Sequence, residues 1–274
     1  MTRSLLNYAS PPVRFDVTQG RGSNGKPHLV LVAAAPAPED APWLPLPSAT
    51  FRALADVPFT AEGVRTFAQQ FGWLTAPEPY TQIVGYPGTL EGEPLSTWQN
   101  EIGRIRRWVA VWEAWRSEDL GALATAIDVA LTEFSGNTDV MVSEDPNETD
   151  AWLTAWKSRK GVGKKPPKSL GSDAPAILAV GISGELEQVL ALPHSSVRLA
   201  VTEFNGGFAL APRSLSLLGA VWLQFAQALA DGLTVRRCQS CGKWIEIGPG
   251  ALPKNRLYCS PRCKLRWFRE HQGT

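Results

Sequence analysis

The segments Arg236-Arg237-Cys238-Gln239-Ser240-Cys241-Gly242-Lys243-Trp244 and Arg256-Leu257-Tyr258-Cys259-Ser260-Pro261-Arg262-Cys263-Lys264-Leu265-Arg266 hold all four cysteines of the chain. They read as C-x2-C, seventeen intervening residues, and C-x3-C. Two short-spaced thiol pairs suit a tetrahedral Zn²⁺ ion. Each pair supplies two sulfurs from one tight turn, and the loop between them brings the second pair back to close the shell. Two disulfides or four buried thiols are the competing readings; paired spacing in a chain with no secretion signal favours zinc. Four sulfurs complete the shell, so the expected ion is structural, because a catalytic zinc keeps one position open for water.

The residues around the cysteines agree. Gly242 follows the first pair, where a chain leaving a knuckle turn favours positive φ. Ser260 reads as a helix N-cap and Pro261 as the first helical residue. Cys263 then falls in the first turn of a helix, near the amide dipoles that favour a thiolate. Knuckle, β-hairpin and a ligand pair at a helix start make a treble-clef-like plan.

Charge is segregated along the chain. Residues 236–274 carry nine Lys/Arg against Glu246 and Glu270, a net of +7, while the remainder carries eighteen against twenty-four, a net of −6. A basic module on an acidic body points to a polyanion partner at that end, or to docking of the module on its own body. If residues 261–271 are helical, Arg262, Arg266 and Arg269 fall at i, i+4 and i+7, with Leu265 and Phe268 beside them to anchor the helix. Arginine forks suit phosphate oxygens and guanine edges. Arg262, Lys264, Arg266, Arg269, Arg256 and Lys254 are the expected nucleic-acid contacts.

The rest reads as an α+β, mostly helical body over residues 1–235, joined by the short link 233–235 to the module at 236–274. With 44% hydrophobic residues and eleven tryptophans, the body has ample core material. Strands are expected at 13–18 and 28–33 around a glycine-rich turn. That turn approaches the phosphate-binding pattern G-x4-G-K-[ST] and fails it, since Pro27 replaces the hydroxyl and a strand follows. Residues 34–50 read as irregular. A helix from about Thr60 buries Val64, Phe67, Ala68 and Phe71 and stops at Gly72. The longest helix is expected from Ser96, whose spacing to Gln99 fits a capping box, with Trp98, Ile102, Ile105, Val109 and Trp112 as its stripe. Further helices are expected at 118–134, 174–192 and 214–230, and a hairpin at 197–204 and 208–211 around Asn205-Gly206-Gly207. Residues 157–168 form a basic loop after a short helical candidate with Trp152 and Trp156.

Catalysis finds little support: His28, His194 and His271 are scattered without a nucleophile partner, so no enzyme is expected. The N-terminus has too few apolar residues for a signal peptide and no run approaches a membrane span. A soluble cytoplasmic protein is expected.

The pieces Cys238-x-x-Cys241-Gly242-x-Trp244, Arg256-x-Tyr258-Cys259-Ser260 and Cys263-Lys264-Leu265-Arg266 resemble the CGNR-type zinc finger of bacterial proteins that carry an N-terminal ABATE-type α/β domain. The name-giving Cys-Gly-Asn-Arg reads Cys263-Lys264-Leu265-Arg266 here. The resemblance implies four-cysteine zinc, a DNA-binding finger and a role in transcription regulation; the body is separately expected to bind a ligand or a protein partner. A zinc-stabilised protein–protein module without nucleic-acid binding is the alternative.

Overall fold

The computed structural model describes residues 7–8, 15–21, 27–33, 44–47, 49–75, 78–80, 90–134, 170–191, 197–204, 207–214, 216–248 and 251–271. The expected basic loop at 157–168, the short helix around Trp152 and Trp156, and turn residues 22–26 lie outside them. In chain order the elements are β1 (Asn7–Tyr8), β2 (Phe15–Arg21), β3 (Pro27–Ala33), β4 (Leu44–Pro45), α1 (Thr50–Ala55), α2 (Ala61–Phe71), β5 (Glu78–Tyr80), β6 (Leu90–Pro94), α3 (Leu95–Arg116), α4 (Leu120–Phe134), α5 (Leu170–Ala191), β7 (Val197–Phe204), β8 (Gly207–Ser214), α6 (Leu217–Ala230), β9 (Thr234–Arg237), β10 (Trp244–Ile247) and α7 (Pro261–His271). The mixture of helix and small sheets is the expected α+β class. No helix among the described residues is long and apolar enough to cross a membrane.

Contacts divide the chain into two compact units, Met1–Arg106 with Glu185–Thr274, and Arg107–Gly184. The first unit holds every sheet among the described residues. One runs β2-β3-β6-β5, all antiparallel, and a second runs β4-β1-β8-β7, in which β1 is parallel to β8. Val30, Leu31 and Val32 are all fully buried, as a continuous apolar run in a strand covered on both faces should be.

Local signals explain α2. Thr60 accepts from the Gly63 N–H at 3.1 Å; Val64, Phe67, Ala68 and Phe71 are buried at helical spacing; and Gly72, at φ 87°, ends it. The helix expected to be longest, α3, starts at Leu95, one residue before the expected Ser96, and its 22 residues are equalled by those of α5. The Gln99 side chain does not close a capping box: its amide donates to the Phe59 carbonyl at 2.9 Å. Glu93 organises this junction instead. It is fully buried, and its carboxylate accepts from Leu74 N (3.1 Å), Thr75 N (2.5 Å), Thr75 Oγ1 (2.6 Å) and Trp98 Nε1 (2.8 Å). Burial raises its pKa, against the lowering effect of those four bonds. Removing the carboxylate would orphan buried donors at about 1–3 kcal/mol each.

Two expectations are corrected here. Residues 34–50 are not wholly irregular, because β4 and the start of α1 fall there, and α1 runs on to Ala55. Its N-cap, Ala49, has φ 56° and no side-chain cap, so nothing local announces it. Tertiary contacts hold α1 in place: Phe51 stacks on Phe225 at 4.9 Å, and the Gln224 side-chain oxygen accepts from Phe51 N. The sequence marks no element in its Pro- and Gly-rich stretch between Gly72 and Ser96, which contributes β5 and β6. The helix expected at 214–230 begins at Leu217, because Ser214 ends β8 and Ser216 is the N-cap, accepting from Gly219 N at 3.1 Å.

Among the described residues, the second unit holds the later part of α3, α4 and the first part of α5. Asp119 caps α4 by accepting from the N–H groups of Gly121 and Ala122 at 2.9 and 3.0 Å. The last helix of this unit, α5, starts at Leu170, four residues before the expected Ala174, so Pro175 lies inside it. Gly181 lies against the Trp108 ring, where an added Cβ would fall 1.9 Å from a ring carbon.

Candidate metal centre

The site begins with β9 and β10, which pair antiparallel with Trp244 opposite Arg237 and Ile247 opposite Thr234. Their connection carries the first cysteine pair. Cys238 N donates to the Lys243 carbonyl at 2.8 Å, and Gly242 N donates back to the Cys238 carbonyl at 2.9 Å. Gly242 leaves this turn at φ 69°, the positive value expected of it. One feature differs from the expected plan. The knuckle is itself the turn of the hairpin, whereas the sequence placed the hairpin after it. The reason lies in Thr234–Arg237, which supplies the partner strand from before the first cysteine.

The second pair arrives on α7. Ser260 caps this helix through its Oγ, which accepts from Cys263 N at 3.2 Å, and Pro261 is its first residue. Gln239 N bonds the Leu257 carbonyl at 3.0 Å, and Cys259 N donates to the Cys238 sulfur at 3.3 Å, so the two halves close on each other. All four cysteines are free thiols, and their sulfurs lie within 4.8 Å of one another. Cys241 Sγ stands 3.6 Å from Cys259 Sγ, and Cys259 Sγ stands 3.4 Å from Cys263 Sγ. Sulfurs about 2.3 Å from a common tetrahedral ion would be about 3.8 Å apart. The four cysteines are thus positioned to bind a metal ion.

Their titration is split. For Cys238, burial pushes the thiol up, but bonds from the N–H groups of Cys259, Cys241 and Ser240 outweigh it and bring the value down to about 6. Burial, reinforced by the neighbouring thiols, pushes Cys259 up to about 12. Burial also raises Cys241, whereas bonds from Cys259 and Ser260 lower Cys263.

Around the sulfurs, Cys238, Tyr258 and Cys263 are buried, with Cys241, Cys259 and Trp267 packed against them. The Trp267 ring lies 5.9 Å from Tyr258, and His271 stacks on it at 4.2 Å. His271 therefore packs on an indole and is not among the grouped ligands. The expected anchors of α7 are corrected. Leu265 is 57% exposed and Phe268 37% exposed, because Trp267, one turn after Cys263, takes the inward face. That i, i+4 spacing was the signal available in the sequence.

The six expected nucleic-acid residues lie on this module. Arg262, Lys264, Arg266, Arg269 and Lys254 are exposed, and none of them forms an ion pair with a carboxylate among the described residues. Arg256 is half-buried, and its Nε donates to the Tyr258 carbonyl at 2.7 Å, bracing the loop before Cys259.

A clasp that the sequence did not reveal joins the module to α1. Asp56, at the end of α1, pairs with Arg52 and Arg237 and accepts from Trp244 Nε1 at 2.8 Å. The two guanidiniums lie over the Trp244 ring at 4.4 and 4.5 Å from its centroid. Glu246 accepts from Ala49 N at 2.9 Å, which gives that uncapped helix start a partner. No family model matches the chain, and no curated protein or solved structure matches it either.

Proposed function

We propose that the chain is a DNA-binding transcriptional regulator whose C-terminal finger is built on a structural Zn²⁺ held by Cys238, Cys241, Cys259 and Cys263. Four thiolates and no oxygen donor select zinc over hard cations. The ion contributes folding free energy to a module with few buried residues of its own. Arg262, Lys264, Arg266 and Arg269 contact phosphates, with Lys254 on the adjoining loop. One observation carries this reading: the basic side chains of α7 are exposed and pair with no carboxylate among the described residues, while Arg237 of the finger sits on the clasp. The resemblance to CGNR-type fingers belongs to the same proposal, as does a ligand or partner for the body.

Titrating the zinc-loaded chain with random duplex DNA at low and moderate salt tests it. Around six phosphate contacts give a loss on the order of a thousandfold between the two conditions. Binding that is absent or independent of salt would overturn the DNA reading. A protein–protein module is the second reading, favoured by exposed Leu257 on the loop before Cys259. It predicts a protein partner whose capture survives Arg266→Glu.

A further inference from the structure

We propose that Leu265 and Phe268 read thymine methyl groups on the floor of the DNA major groove; the inference rests on the DNA-binding reading above and deepens it. Cys263 and Trp267 define the inward face of α7. At about 100° per residue, Leu265 lies about 160° around the helix axis from both, at the outward pole. Phe268 is its neighbour one turn on, with its ring edge-on to Trp267 at 5.4 Å and tilted against Tyr258 at 6.5 Å. Lys264 flanks this apolar pair on one side, its ammonium 6.0 Å from the Phe268 ring centroid. By the same helical spacing, Arg262, Arg266 and Arg269 flank it on the other.

Cations on both sides of an apolar centre match the major groove in cross-section. Phosphates line its two walls, and base edges form its floor. The apolar group on that floor is the C5-methyl of thymine. Leu265 at 57% exposed and Phe268 at 37% exposed are large apolar side chains left open to water at the tip of a basic module. A contact with thymine removes that surface from water at the point where the flanking charges already hold the backbone. Burying one methyl-sized group is worth about a fourfold gain in affinity.

The test uses the full, zinc-loaded chain and two A·T-rich duplexes of one sequence, one with thymine and one with deoxyuridine at every such position. Fluorescence anisotropy should show the thymine duplex bound about fourfold or more tightly. Both Leu265→Ala and Phe268→Ala should shrink that ratio, because each lowers affinity for the thymine duplex more than for the uracil duplex. Equal binding of the two duplexes by the unaltered chain ends this inference and leaves the DNA reading standing. A preference that survives both substitutions also ends it. Binding to neither duplex overturns both.

Discussion

At the scale of residues, the four cysteines are alike in sequence and unlike in the fold. Cys238, at about 6, holds a thiolate near neutral pH and Cys263 is lowered from the ordinary thiol value, whereas Cys259 at about 12 and the raised Cys241 hold protons. A zinc ion needs all four as thiolates, so its uptake should release at least the protons of Cys241 and Cys259 but none from Cys238, and affinity should fall as pH falls. Calorimetric zinc titration in buffers of different ionisation heat counts those protons. Release of none, or of four, would contradict the split. The spacing of these ligands was readable from the sequence because metal chemistry restricts residue type and separation together. The side that α7 turns inward was misread: Leu265 and Phe268 are apolar, but the Cys263-to-Trp267 spacing outranks apolarity once the sulfurs fix the helix.

At the scale of elements, α2 and α7 were legible because cap, apolar spacing and stop or ligand signals agree in each. The start of α5 was not, since Pro175 usually marks the first turn, and here the helix begins five residues earlier. Neither was α1, whose six residues carry no cap and are held by Phe225 and Gln224 from far along the chain. Propensity and packing conflict openly at Gly181. Alanine in a helix interior is favoured over glycine by about 1 kcal/mol. Here the added Cβ would lie 1.9 Å from the buried Trp108 ring. Packing should win, and Gly181→Ala should lower stability by about 1–3 kcal/mol. Urea denaturation followed by tryptophan fluorescence measures it. A stability equal to or above that of the parent chain would show that the ring moves aside without cost.

At the scale of the whole molecule, the charge asymmetry seen in the sequence acquires a geometry. One acidic residue of the body, Asp56, engages Arg237 and Trp244 of the hairpin, while the basic side chains of α7 pair with no carboxylate among the described residues. Composition could reveal the excess of positive charge but not which cations the body would claim, because that choice depends on the clasp. The sheet order was hidden for a related reason. β1 is two residues long and pairs with β8, about two hundred positions away, so no local pattern marks it. The central proposal is that a metal-built finger leaves its cationic helix open to DNA. The most direct measurement is the slope of log affinity for random duplex DNA against log salt, for the zinc-loaded chain and for variants with Arg262, Lys264, Arg266 and Arg269 replaced singly and together by Gln. The account predicts that each replacement lowers the slope by about one and that the four together lower it by about four. A slope that does not change with all four replaced would contradict it.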